Sequence, residues 1–465
     1  MMRLIFGIIA FCISAIGVAA CSVPKKGGFA EVAAMTENRL GRRVEWIRDS
    51  KEEHRARSIV DSLLARPMTA EDAVTVALLN NRALQAEYER LGVEQAAFVQ
   101  AGLPANPVVS LSVRISSAVA SVSNIGFGVA QNMLDLLMLP ARKGLASAQF
   151  EAAKHRTAHS VLYLATDTQS AYYALQGSMN LNALLQTVIE TASTAAEFAR
   201  RQHEAGNIGA LELTARTALY EQTRIDLIAS ETAVLEDRER LVRLMGLSEP
   251  PVGWHIPDRL PDLSDVETLP DRAESLAVAQ RLDLAALHWE IDARVRARSI
   301  AVTWRYFPLL DVGVETEREI DGERVTGPHV EIALPVFDRG QARTAAAEAL
   351  LRESRHRLAA SATEIRSEVR VARNRLLSAR TKALHYRKTL IPLHERLVTE
   401  TGHLYNFMLA GVYQLLQAKR DEIGAYQGYI AAVRDYWIAR CEWERVMGGR
   451  FDVAKMSEPP RLPER

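Results

Sequence analysis

The side chains that could do chemistry are few and badly placed for it. His155 and His159 stand four apart on a helical pattern, so they share a face. No Glu stands between them in the arrangement a zinc hydrolase needs, and no third ligand is near in sequence, so they read as wet surface histidines. His394 and His403 flank Glu395 and Glu400, again without a ligand spacing. No Gly-rich phosphate loop is present, so any energy-consuming step belongs to a partner. Cys12, Cys21 and Cys441 are the three cysteines. Val18-Ala19-Ala20-Cys21 closes an apolar run that begins after Arg3, which makes residues 1–20 a targeting segment. Two readings follow. Cys21 is the acylated first residue of a mature lipoprotein, or the segment is an ordinary signal peptide ending Val-Ala-Ala. The polar Ser22-Val-Pro-Lys-Lys-Gly-Gly favours acylation. With Cys12 removed and Cys21 acylated, only Cys441 remains, and it has no partner for an intramolecular disulfide. The sequence therefore predicts no enzyme, no cofactor and no metal.

Composition narrows the class. Hydrophobic residues make up 48% of 465, and the 57 basic and 57 acidic residues balance, so nothing marks a nucleic-acid surface. No stretch after residue 20 is apolar enough for a membrane-spanning helix.

The elements that position the rest are duplicated. Leu310, Val312 and Val314 alternate with Asp311, Gly313 and Glu315, and Val330, Ile332 and Leu334 alternate with Glu331 and Ala333. Period-two alternation on both sides of a Gly-bearing turn predicts a hairpin, closed by Pro335, Asp338 and Gly340. About two hundred residues earlier, VVSLSVRIS after Pro107 and IGFGVAQNML from Ile125 repeat the pattern, and Pro107 matches Pro308. Met133-Leu134-Asp135 matches Val336-Phe337-Asp338, and ALLNNRALQA from Ala77 matches AVAQRLDLAA from Ala277.

Between Ala141 and Ala205 there is no Pro, and Gly occurs only at 144 and 177. A helix over that span would be about 100 Å long. Gly206-Asn207 breaks it and a return helix follows to Met245. The second half repeats this from Arg343 to Ala410, with Pro392 expected to kink the helix and Gly411-Val412 to break it. A helix is expected from Thr69 to Gln100 and another from Asp271 to Ala301. The predicted organisation is 1–20 signal peptide; 21–67 lipidated tether, flexible at first, with a short outer helix within 44–64; 68–248 first repeat; 249–270 Pro-rich linker; 271–449 second repeat; and 450–465 C-terminal tail.

Four strands cannot close a barrel, since the smallest closed barrels have about eight. If these hairpins enter a membrane, the chain must oligomerise, and three copies give twelve strands. Ser110, Arg114, Asp311, Glu315 and Glu331 would then line a lumen while Val and Leu face lipid. A small soluble sheet with one wet face is the alternative that alternation leaves open.

MTAEDAVTVALLNN from Met68, QAGLPANP from Gln100, YFPLLDVGV and ALPVFDRGQ resemble the TolC-like outer membrane factors over about Met68 to Gly449. The resemblance implies a mainly α fold with a small β part. Three chains would form a 12-stranded β-barrel, four strands per chain, continued by a long α-helical barrel. It further implies an efflux exit duct in the cell outer membrane, lipid-anchored at a palmitate-bearing Cys21. The partners implied are a periplasmic adaptor and an inner-membrane efflux pump of the RND type. Gly206, Asn207, Gly411 and Val412 stand where the family turns at its periplasmic tip. Glu204 and Glu400 are candidates for gate charges, with solvated helix charges as the plainer reading. Of the family's cargoes, small toxic solutes or metal ions fit the resemblance better than secreted proteins. A pore-less, lipid-anchored coiled-coil scaffold is the reading from a different class.

Overall fold

The computed structural model describes residues 23–115, 123–249, 254–263, 267, 269–306, 309–319 and 322–449. The signal peptide, Cys21, Pro308, the C-terminal tail and parts of the central linker lie outside the described residues. The described chain runs α1 (Phe29–Leu40), α2 (Ser50–Leu64), α3 (Ala70–Asn80), α4 (Arg82–Ala101), β1 (Val108–Ile115), β2 (Ser123–Asn132), α5 (Met133–Glu204) and α6 (Ala210–Leu244). It continues with α7 (Ala273–Gln280), α8 (Leu282–Thr303), β3 (Leu310–Arg318), β4 (Arg324–Ile332), α9 (Gln341–His385), a π-helical turn (Tyr386–Leu390), α10 (Ile391–Asn406) and α11 (Val412–Met447). No helix among the described residues is long and apolar enough to cross a membrane.

Contacts divide the chain into two compact units, each drawing on both repeats. The first, from 1–32, 87–157 and 282–362, contains the four strands, which form one antiparallel sheet in the order β1-β2-β3-β4. Its N-terminal segment is strapped down. The Gly27 N–H donates to Gln95 Oε1 at 3.1 Å, Gln95 Nε2 donates to the Pro24 carbonyl at 2.8 Å, and Lys154 pairs with Glu31. Phe29 meets Tyr88 edge-on at 5.0 Å between centroids.

The second unit, from 33–86, 158–281 and 363–465, is helical. One of its cores gathers Met68, Val76, Leu79, Tyr172, Leu175, Leu241, Met245 and Trp254. Each such burial is worth about 1.5–3 kcal/mol. The Tyr172 hydroxyl donates to the Met68 carbonyl at 2.9 Å. Thr69 caps α3 and forms a capping box with Asp72.

Four expectations need correction. The stretch expected to be a flexible tether is ordered from Val23 and forms α1, because Phe29, Val32, Thr36 and Leu40 recur at helical spacing and are all buried. The helix expected from Thr69 to Gln100 is broken at Asn81. Its backbone is extended, its Oδ1 accepts the Leu84 N–H at 3.0 Å, and its Nδ2 donates to the Leu244 carbonyl at 2.8 Å. Arg281 breaks the second repeat at the matching place, with its guanidinium 2.5 Å from Glu368. The first long helix starts at Met133 rather than near Ala141. Asn132 Oδ1 accepts the Asp135 N–H at 2.6 Å, and Pro140 lies inside the helix. Finally, Pro392 does not act alone. Proline lacks an N–H and crowds the carbonyl four residues back, and here the turn just before it widens to π geometry at Tyr386–Leu390.

Candidate pore wall and interhelical turns

The strand register sorts most side chains by polarity, with Val108 and Val325 falling on the polar face and Gln131, Thr316, Thr326, Arg318 and Arg324 on the apolar one. Ser110 opposes Gly128, which in turn opposes Glu315; Arg114 opposes Asn124, and Asp311 opposes Asn132 and Glu331. Directly opposed residues share a face. One face therefore carries Ser110, Ser112, Arg114, Asp311, Glu315, Glu317, His329 and Glu331, the polar set expected from alternation. The other carries Val109, Leu111, Val113, Ile125, Phe127, Val129, Val312, Val314, Val330 and Ile332. Those ten apolar side chains are 40–71% exposed.

The polar face is internally bonded. Asn132 Nδ2 donates to Asp311 Oδ1 at 2.7 Å, Asn124 Nδ2 to Glu317 Oε1 at 3.0 Å, and Arg114 lies 3.5 Å from Glu317. His329 Nδ1 lies 3.9 Å from Glu315 Oε2. Gly313 permits the close approach of β2, since a Cβ there would collide with the Val129 carbonyl oxygen. Among the described residues β1 and β4 are paired on one side only, so the sheet has two open edges.

The strand–helix junctions take up the remaining predicted hairpin residues. Pro107 is exposed in the extended segment before β1, and Pro335 is half-buried after β4. Asp338 Oδ1 accepts the Gly340 N–H at 2.8 Å, and Gly340 has φ +72° at a place where a Cβ would collide with Arg305. In the first repeat Asp135 does more work. It accepts the Ala105 N–H at 2.9 Å and pairs with Arg142 at 2.5 Å.

The two interhelical turns share one backbone design. At the first, the Asn207 N–H reaches the Gln202 carbonyl and the Gly206 N–H reaches His203, with Gly206 at φ +75°. At the second, the Leu409 N–H reaches Leu404 and the Met408 N–H reaches Tyr405. Both are helix ends closed by one left-handed residue. At the second turn that residue is Met408, at φ +59°, not Gly411. Gly411 has φ −78° and is the residue before α11, where its N–H donates to Gln414 Oε1 at 2.9 Å; Val412 opens that helix. Gly411 is therefore the counterpart of Gly209, and Gly206 of Met408. Sequence reasoning took glycine as the sign of the reversal and missed Met408. The signal lay in aligning the repeats on the helix starts, Gly209-Ala210-Leu211 with Gly411-Val412-Tyr413.

Glu204 is exposed and pairs with Arg200 at 2.6 Å. Glu197 accepts from Arg200 and Arg201, which hold its carboxyl down to about 2, the Arg200 hydrogen bond being the larger cause. Glu400 is exposed on α10. Among the described residues no group of three or more His, Cys, Asp or Glu is placed to hold a metal ion.

Residues 73–247 match the family described as outer membrane efflux protein. No curated protein matches the sequence significantly. Several solved structures share the fold. One is CusC, at 15% identity and TM-score 0.69, over 82% of this chain and 92% of that one. The outer-membrane channel OprN matches at 16% and 0.69, over 90% and 96%. The Campylobacter jejuni outer membrane channel CmeC matches at 14% and 0.66, over 87% of each chain. The family match is thus confined to residues 73–247, while the chain as a whole shares the fold of these TolC-like channels.

Proposed function

We propose that this chain is one third of an outer-membrane exit duct: three copies join their sheets edge to edge into one twelve-stranded barrel, and their helices continue the conduit into the periplasm. The observation that carries this is the two-faced sheet. A mainly apolar face, interrupted by Thr316 and Thr326 and by Arg318 and Arg324 beside the β3–β4 turn, suits hydrocarbon, a polar face suits a water-filled lumen, and the strands have 8 to 10 residues. About 9–11 tilted residues cross a bilayer. Open edges cannot stay in lipid, because each unsatisfied backbone group there costs several kcal/mol. Closure by other copies removes them.

The duct is passive. A periplasmic adaptor engages the turns around Gly206-Asn207 and Gly411-Val412, and an inner-membrane pump of the RND type selects the cargo and supplies the energy. Acylated Cys21 adds a lipid anchor. Glu204 and Glu400 stand close to those turns, where a gate would act. The test is the mass and conductance of the protein purified in detergent. The expected result is a trimer that conducts ions in planar bilayers; a monomer without conductance contradicts the proposal. Cys21→Ala separates the duct from a pore-less scaffold. The duct stays in the membrane through its strands, whereas the scaffold is released.

A further inference from the structure

Within the sheet-bearing unit, α5, α8 and α9 enclose a groove of about 420 Å³. Its walls near the sheet are apolar: Leu134, Met138, Ile300, Trp304 and Leu350. No carboxylate lines it, and its two charged side chains are Arg294 and Arg343. Arg343 is mostly exposed and lies 3.9 Å from Asp338, so its charge is spent at the sheet end. Arg294 lies at the far end, nine residues or roughly 14 Å along α8 from its last residue, Thr303, which Trp304 follows.

A second cavity of about 440 Å³ continues from the first, sharing Leu145, Arg294 and Ala297. Its lining is polar, with Glu94, Gln149, Arg156 and Glu290. Arg294 stands at the boundary between the dry and the wet compartment. Its bond to Glu290 is long, at 3.5 Å, and its Nε is buried without a hydrogen-bond partner. A buried donor left in that state is unfavourable, and a ligand that accepts from it relieves the cost. Both compartments fall within the range of about 300–1,000 Å³ that holds a small ligand.

The mixture of charges selects the occupant. An apolar tail fits beside Leu134 and Trp304, a phosphate answers Arg294, and an ammonium answers Glu290 and Glu94. The polarity also matches position. The tail end abuts the strand–helix junctions, where Leu136, Leu137, Leu334, Val336 and Phe337 are exposed, and Phe337 is 93% exposed. Exposed apolar side chains gathered in this way mark a surface that lipid or protein covers. We infer that this groove holds one zwitterionic phospholipid per chain, its acyl tail toward the sheet and its phosphoethanolamine head on Arg294 and Glu290. The inference rests on the membrane placement of the sheet proposed above.

The test is native mass spectrometry of the full-length protein, delipidated in detergent and titrated with phosphatidylethanolamine, phosphatidylglycerol or diacylglycerol. The expected result is one retained phosphatidylethanolamine per chain. Losing the charge-assisted bonds in Arg294→Gln should weaken retention about tenfold or more. Ala346→Trp, which fills the apolar compartment, should abolish it. Equal retention by wild type and both variants means unspecific annular lipid and overturns the site. Phosphatidylglycerol held as tightly as phosphatidylethanolamine overturns the head assignment. If Ala346→Trp does not fold, Arg294→Gln decides alone. Conductance of the same wild-type sample separates the two layers. A conducting trimer that retains no lipid sinks only the groove, whereas a silent monomer sinks the duct.

Discussion

Leu111 and Ser112 are neighbours in β1 that face opposite ways. Leu111 opposes Phe127 on the apolar face and is 71% exposed, and Ser112 opposes Gly126 on the polar face. Both lie at mid-strand. Leu111→Arg therefore places a guanidinium in hydrocarbon, whereas Ser112→Arg places one in water, above a glycine that leaves room for it. An Arg on the lipid face near the midplane of a barrel costs about 2–4 kcal/mol. Three copies raise that to roughly 6–12 kcal/mol per assembly, enough to empty a marginal trimer. Ser112→Arg should stay within about 1 kcal/mol of wild type. The assay is urea unfolding of the protein reconstituted in liposomes, followed by trimer survival on gels. Equal losses in the two variants, or a larger loss for Ser112→Arg, would refute the assignment of faces.

Three further outcomes follow from the helices. Gly206→Val should lower thermal stability by about 1–2 kcal/mol and Met408→Gly should raise it by about 1, because only these two turn positions are left-handed. Gly411→Val should change it by less than about 0.5 kcal/mol, and calorimetry showing Gly411 as the sensitive position would contradict the turn geometry. Asn81→Ala removes both the cap on Leu84 and the bond to Leu244, with an expected loss of about 1–3 kcal/mol read as a lower melting temperature. Glu197 is depressed from 4.5 to about 2 in the fold, so its contribution is present above pH 4.5 and disappears as pH falls toward 2. Amide protection near Glu197–Glu204, taken relative to the intrinsic exchange rate at each pH, should fall over that window in wild type, and Glu197→Gln should remove that fall; constant protection in wild type contradicts the pairing.

The hairpins were legible because a half-buried strand must alternate, and the alternation of Val312, Val314 and Val330 with Asp311, Glu315 and Glu331 is what the register realises. The duplication was legible for the same reason, since matched residues keep their order. The helix breaks at Asn81 and Arg281 were hidden. Neither residue is Gly or Pro, the apolar period runs on through both, and each break is held by a partner distant in sequence, the Leu244 carbonyl and Glu368. Met408 was hidden because side chains rarely take the left-handed conformation, so glycine is the usual marker and Gly411 drew the eye. Helix α1 was masked by the charges around it, although Phe29, Val32 and Leu40 carried its period. The lipid groove has no sequence signature, because its lining comes from three helices far apart in the chain.

Closure of the sheet by other copies is tested most directly by cross-linking its two edges. In one chain β1 and β4 are separated by two strands, so three interstrand spacings put them roughly 14 Å apart. A disulfide needs α-carbons within about 7 Å. With Cys441→Ser as background, a cysteine at Ser110 in β1 should be paired in turn with cysteines at Val325, Gly327, His329 and Glu331 in β4. On oxidation, at least one pair should give dimer and trimer bands and no faster-migrating monomer. Monomers alone at every register would contradict an assembly in which β1 of one copy meets β4 of the next.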